Sequence, residues 1–346
     1  MKQYLSVMII FAIALIVLPS VSLFLPNKNE EISAETTTEL RLKISPVAAV
    51  VTSQTTTQKE KTEEDFFLVM DKDSGEVMKV AARDYIIGAV MAEMPSSFEE
   101  EALKAQAVAA HTYAVRQREK EKQKPTPSLC GAYFSNDSRY YQAYFTIEQA
   151  KDFYGEYFDE SYEKVSAAVD KVKDEIILYE NEPIVAAFHS LSGGVTESAE
   201  DIWGNEMPYL VPVDSSSDEE ISSYKESYTF TPSEIKARLS TYCNARFDGK
   251  EAEWFTVTER TNSGAVLEIK AGDKTLSGMD FRTALSLRSP NFTINFNGEN
   301  FVIITKGYGH GVGMSQYGAN SMAKNGATYR EILSHYYPGT EISEVA

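Results

Sequence analysis

Cysteine is nearly absent from this chain: two residues in 346, Cys130 and Cys243. One bridge at most is available, which excludes a disulfide-built scaffold and leaves the state of the two thiols open. Basic residues are in deficit, with Lys+Arg 33 against Asp+Glu 51 and a formal net charge of −18, which argues against nucleic acid as a partner. Motifs are missing too. There is no Walker-type phosphate loop, no GxSxG elbow and no HExxH helix, so nucleotide, serine-hydrolase and zincin chemistry have no signature here. The last absence is local: residues 3–27 carry no charge at all.

That uncharged stretch is almost wholly apolar over residues 4–25, and twenty-two helical residues rise about 33 Å, enough to cross a hydrocarbon core of about 30 Å. Lys2 and the terminal amine precede it, while Glu30 and Glu31 come after, which favours an N-inside, C-outside orientation. Residues 1–26 are expected to be a membrane anchor. The competing reading is a cleaved signal peptide ending near Ser20-Val21-Ser22. Both readings export the rest of the chain.

Residues 27–64, with Thr36-Thr37-Thr38 and Thr55-Thr56-Thr57 among Glu, Lys, Ser and Gln, bury too little apolar surface to offset their conformational entropy. They read as a flexible tether, with a more apolar stretch at 40–51. Residues 65–346 are long enough for a well-buried core, as one large domain or two packed lobes. Their pattern is mixed. A hairpin is predicted over 65–80 around Asp73-Ser74-Gly75. Helices are predicted over 82–92 and 98–118, the second capped by Ser96 or Ser97. Strands are predicted at 176–179, 184–189, 255–258, 266–269 and 301–305. A helix over 314–324 stops at Asn325-Gly326, and the capping box Thr328…Glu331 starts the last one. Strands and helices do not alternate, so the class is α+β, with mixed sheet and helices forming a cleft.

Three segments carry potential chemistry. Glu93 ends a helix among apolar neighbours, just before the break that Pro95 enforces. Desolvation there raises a carboxyl pKa and suits it to general-acid work, although from position alone a helix-terminal glutamate capped by a neighbouring backbone amide is the safer reading. The second segment, Phe188-His189-Ser190-Leu191-Ser192-Gly193-Gly194 followed by Glu200-Asp201-Ile202-Trp203, offers an imidazole, hydroxyls and a sugar-stacking ring. It also fits a strand-end turn with a core Trp. In the third, residues 307–319, glycines flank His310, Gln316 and Tyr317 and let backbone approach a ligand or a strand closely.

Glu93-Met94-Pro95, the helix segment Lys104-Ala-Gln-Ala-Val-Ala-Ala-His-Thr-Tyr-Ala114, His189 to Gly194 with Glu200 to Trp203, and His310 to Gly318 together resemble the stage II sporulation protein D (SpoIID/LytB) family. The blocks occur in the family's order, from about residue 66 to 337. The resemblance implies a lytic transglycosylase acting on peptide-stripped glycan strands during engulfment, with Glu93 as catalytic acid and Lys104 as a cleft residue. His111, His189, Ser192, His310, Gln316 and Tyr317 are the further expected substrate-binding residues. It also implies a single-pass protein of the septal or engulfing mother-cell membrane. Expected partners are the sporulation amidase (stage II sporulation protein P) and membrane protein M.

Such an enzyme needs one carboxyl only, because the muramoyl C6 hydroxyl replaces water as nucleophile. This chain departs from the family at His111, where the helix commonly reads Arg, so an always-charged contact becomes one whose charge titrates near neutrality. It departs again over 124–145, where some members hold zinc. Cys130 stands there without a His or a second Cys, so three ligands cannot be assembled, and no metal or other cofactor is expected. Tyr133, Phe134, Tyr140, Tyr141, Tyr144 and Phe145 occupy that region as packing or sugar-stacking rings, and the basic run 116–124 reads as a solvated helix end. A second reading stays open: a non-catalytic glycan-binding activator or scaffold for an amidase.

Overall fold

The computed structural model describes residues 66–345. The expected anchor and tether lie outside the described residues. Among the described residues, no helix is long and apolar enough to cross a membrane.

Alternating burial in Phe66–Met70 (β1) turns at Gly75 into Val77–Ala81 (β2), the expected hairpin, with Phe66 opposite Ala81 and Met70 opposite Val77. Ala82–Glu93 (α1) comes directly after, buried continuously from Tyr85 to Ala92. It stops because Met94, which precedes Pro95, is extended at φ −126, ψ 137. The long helix Glu100–Gln123 (α2) has no side-chain cap; Ser96 bonds Ser161 instead, and the Glu99 N–H donates to Asn320. This helix is Ala-rich where neighbours pack closest, with α1 and the C-terminal helices against it.

The chain then places Phe134–Ser135 (β3) parallel to β1, so the hairpin sheet has the order β2-β1-β3. Ile147–Tyr154 (α3), begun by a Thr146–Gln149 capping box, leads to Phe158–Asp170 (α4), which packs on both α1 and α2. Glu175–Tyr179 (β4) turns through Glu180 and Asn181, both at positive φ, into Glu182–Pro183 (β5). The strand expected over 184–189 is present only as Phe188–His189 (β6). Residues 184–187 instead form one wall of a cleft. Ala199–Trp203 (α5) is capped by Ser198.

A second hydrophobic core comes next, with Phe230, Leu239, Phe281, Phe292 and Ile303 at its centre. It is built from Lys225–Phe230 (β7), Pro232–Cys243 (α6), Phe255–Arg260 (β8), Val266–Ala271 (β9), Lys274–Ser277 (β10), Gly278–Leu285 (α7), Phe292–Phe296 (β11) and Phe301–Lys306 (β12). These make antiparallel sheets of order β11-β12-β7 and β10-β9-β8. The chain then returns to the first core through Met314–Ser315 (β13), Gln316–Lys324 (α8), Tyr329–Tyr336 (α9, with the predicted Thr328–Glu331 box) and Glu341–Glu344 (β14). The result is α+β, as two lobes with one interrupting the other. Cys130 is exposed and Cys243 half-buried, and both are free thiols.

Candidate active site

Glu93 sits at the last position of α1, and its Oε1 accepts a hydrogen bond from the backbone N–H of Ala143 at 3.0 Å. Burial pushes its pKa up to about 7, and the Ala143 bond opposes that shift only partly. The carboxyl is thus both amide-capped and desolvated. The neighbouring Gln142 N–H donates to the Tyr113 hydroxyl at 3.2 Å, so the 142–143 segment is strapped to α2 and to Glu93 at once. Glu93 opens onto a cleft of about 930 Å³.

His189, Trp203, Tyr308, His310 and Gln316 line the same cleft. The parallel pairing of β13 with β6 sets Ser315 beside His189. Gly309, at φ +117, passes so close that a Cβ there would meet the His189 Cβ at 2.6 Å. His189 Nδ1 lies 3.1 Å from the Val312 carbonyl and so must carry the proton. Burial lowers its pKa to about 4, so the ring is neutral and Nε2 keeps a bare lone pair, buried without a partner among the described residues. His310 has the other tautomer, because its Nδ1 accepts the Val312 N–H at 3.0 Å, and burial holds its pKa well below the usual value. Its ring lies 5.7 Å from that of His189 and 5.3 Å from that of Trp203. The Gln316 amide reaches Gln106 at 3.4 Å.

Four expected site residues lie elsewhere. Lys104 is nine residues from Tyr113, about half a turn around the helix at 100° per residue, so it leaves the cleft side and pairs with Glu100 at 2.7 Å and Glu101 at 2.6 Å. His111 is buried against Phe67 with Nδ1 3.0 Å from the Glu175 carbonyl, and burial lowers its pKa to about 4. It therefore cannot replace an exposed arginine as a ligand contact. Ser192 is a strut: its N–H donates to buried Asp218 at 2.8 Å, and its hydroxyl accepts from Gly194 at 3.0 Å. Tyr317 packs edge-on against Phe98.

Other residues take their place. Arg116, Lys120 and Lys124, expected at a solvated helix end, line the cleft, joined by Arg282 from the second lobe. Their spacing of four along the Tyr113 face was the available signal. The aromatic region divides: Phe134 and Tyr144 pack on Tyr85, whereas Tyr140 and Tyr141 line the cleft. Asp218 also accepts from Ser215 at 3.1 Å and Ser315 at 2.7 Å, and nothing in the sequence around it signalled this. Among the described residues, no group of three or more His, Cys, Asp or Glu is placed to hold a metal.

Comparison with known proteins points to one family. The family model described as SpoIID, stage II sporulation protein, matches residues 70–179. The chain is 38% identical over 268 residues to stage II sporulation protein D of Bacillus subtilis (strain 168), covering 78% of this chain and 76% of the relative. It is 38% identical over 269 residues to the Bacillus amyloliquefaciens protein of the same name, with the same coverage. To the amidase enhancer of Bacillus subtilis (strain 168) it is 29% identical over 308 residues, covering 74% of this chain and 40% of that protein.

Proposed function

The chain belongs to the stage II sporulation protein D family, and from that premise we propose that it is a cell-wall lytic transglycosylase of sporulation, cleaving peptide-stripped glycan strands with Glu93 as acid and then base. The observation that carries this reading is the pairing of one near-neutral carboxyl with a cleft lined by Trp203, Tyr140 and Tyr141. Protonated Glu93 gives its proton to the glycosidic oxygen as the C1–O bond breaks. The muramoyl C6 hydroxyl then bonds to C1 and surrenders its proton to the Glu93 carboxylate, leaving a 1,6-anhydro end.

The other carboxylate on the cleft wall supports a one-carboxylate mechanism. Glu121 is engaged by the Thr126 N–H at 2.7 Å and hydroxyl at 2.8 Å. Both of its oxygens are thereby tied to the turn that follows α2. A hydrolase requires two carboxyls about 5–9.5 Å apart across the bond. Arg116, Lys120, Lys124 and Arg282 supply a cationic wall for lactyl carboxylates, whereas Lys104, expected as a cleft residue, is paired with Glu100 and Glu101. On this reading residues 1–26 tether the domain to the membrane facing the wall, and a sporulation amidase delivers the stripped strands.

The test incubates the full chain and Glu93→Gln with amidase-treated peptidoglycan and seeks 1,6-anhydromuramoyl ends by mass spectrometry. Wild type is expected to make them and the variant to lose at least about 100-fold. A second reading, a non-catalytic activator of an amidase, is favoured by the amidase-enhancer relative. It takes over if neither protein makes anhydro ends while both bind strands.

A further inference from the structure

Gln142 is 3% exposed and lines the cleft, yet neither its Oε1 nor its Nε2 has a hydrogen-bond partner among the described residues. A carboxamide offers two donors and an acceptor oxygen, and leaving them buried and unmet is destabilising. Packing alone does not ask for this residue, since a leucine would fill the volume without the penalty. Among the described residues, the only other one on the cleft wall that is both this buried and orphaned is His189, whose single lone pair takes any donor and so reads little. Gln142 is different, because its place along the chain is fixed relative to the acid. Its own N–H is held by Tyr113, and the next N–H is held by Glu93. Whatever its side chain grips lies beside the bond that Glu93 protonates.

We propose that Gln142 is a specificity-determining residue that turns into the cleft on binding and reads the acetamido group of the muramoyl unit whose C1–O bond is cleaved; this rests on the glycan reading above. The chemistry of that sugar narrows the choice. Oε1 needs a donor, and on the muramoyl unit the C3 oxygen carries the lactyl ether, while the C1 and C4 oxygens are glycosidic. The C6 hydroxyl is the nucleophile. The acetamido N–H is the donor left over.

The experiment measures binding of three stripped strands to the full chain by calorimetry: fully acetylated, de-N-acetylated at muramoyl units, and de-N-acetylated at glucosaminyl units. The chain carries Glu93→Gln, whose amide oxygen still accepts from Ala143, so that the strands survive. Loss of the muramoyl acetyl is expected to weaken binding at least about 10-fold, loss of the glucosaminyl acetyl less than about 3-fold, and added Gln142→Leu to erase the difference. Any effect of the exposed amine's charge would persist in that variant, so erasure is specific to the side chain. Gln142→Leu is also expected to melt no lower than its parent, since it removes two unmet polar atoms. The assignment is overturned, with the glycan reading intact, if strands bind without this preference, if the preference survives Gln142→Leu, or if that variant melts markedly lower. If no strand binds at all, the glycan reading itself falls, and the assignment with it.

Discussion

Burial acts in opposite directions on the carboxyl and the imidazoles of this lobe. It raises Glu93 to about 7 and lowers His111 and His189 to about 4, so near pH 7 the imidazoles are neutral and the glutamate is half-protonated. If Glu93 is the acid, kcat/KM for anhydro-end formation is expected to be level below about pH 6 and to fall about tenfold per unit above pH 7. Stability moves with a definite sign. Glu93 binds its proton more tightly folded than unfolded, where the ordinary value is 4.5, so its contribution is full below 4.5 and is lost as pH rises through about 7. Glu93→Gln, immune to that loss, is expected to gain up to about 2 kcal/mol on wild type between pH 5 and pH 8, read from denaturant melts at both. His111 gives the complementary case. Its ring fills core and bonds the Glu175 carbonyl, so His111→Ala should cost about 2–3 kcal/mol by the same melts and leave strand affinity within about 2-fold.

At the scale of elements, the glycine-rich return segment is held by an acid that sequence reading passed over. Asp218 ties Ser192, Ser215 and Ser315 together, and so fixes β13 beside β6 and presents His189 to the cleft. Asp218→Ala removes the acceptor that three buried donors share and is expected to cost about 3 kcal/mol in a thermal or denaturant melt, with activity falling alongside. Asp218→Asn, which keeps an acceptor oxygen, should recover part of both. Such long-range ties are where sequence reading stopped. The β1–β2 hairpin, α1, α2 and the box at Thr328 were legible because their signals are local: a Gly turn, a helical period, a cap three residues from its partner. Two-residue strands such as β6 and β13 exist only through each other, from segments far apart in the chain, and carry no period. Glu93, His189, His310 and Gln316 were found as motif members and do share a cleft. Lys104 and Ser192 come from the same motifs, but a motif does not say which side of a helix or turn a residue faces. Assigning α2 its cleft face from Tyr113 brings Lys120 in and turns Lys104 out.

Across the whole molecule, the cleft runs against the charge of the protein that contains it. The chain carries −18 overall, yet among the described residues Arg116, Lys120, Lys124 and Arg282 line the cleft against Glu93 and Glu121 alone, and Glu93 is half neutral near pH 7. Three of these cations come from the end of α2 and one from the interrupting lobe, so the field inside requires both cores to be assembled. On the proposed reading, an acidic exterior repels the anionic wall polymer in general, while the cationic wall draws in a strand whose stem peptides no longer shield its lactyl groups. Electrostatic attraction of this kind is screened, with a Debye length of about 10 Å at 0.1 M salt and about 3 Å at 1 M. Raising salt from about 0.05 to 0.5 M should therefore weaken binding of lactyl-bearing strands about 10-fold or more, while a neutral chitin oligosaccharide of equal length changes less than about 2-fold. Lys120→Glu with Lys124→Glu should flatten the first curve onto the second without lowering the melting temperature, since neither side chain is tied into the core. Equal salt slopes for the two ligands in wild type would mean that the cleft reads sugar rings alone and that its cations serve the fold.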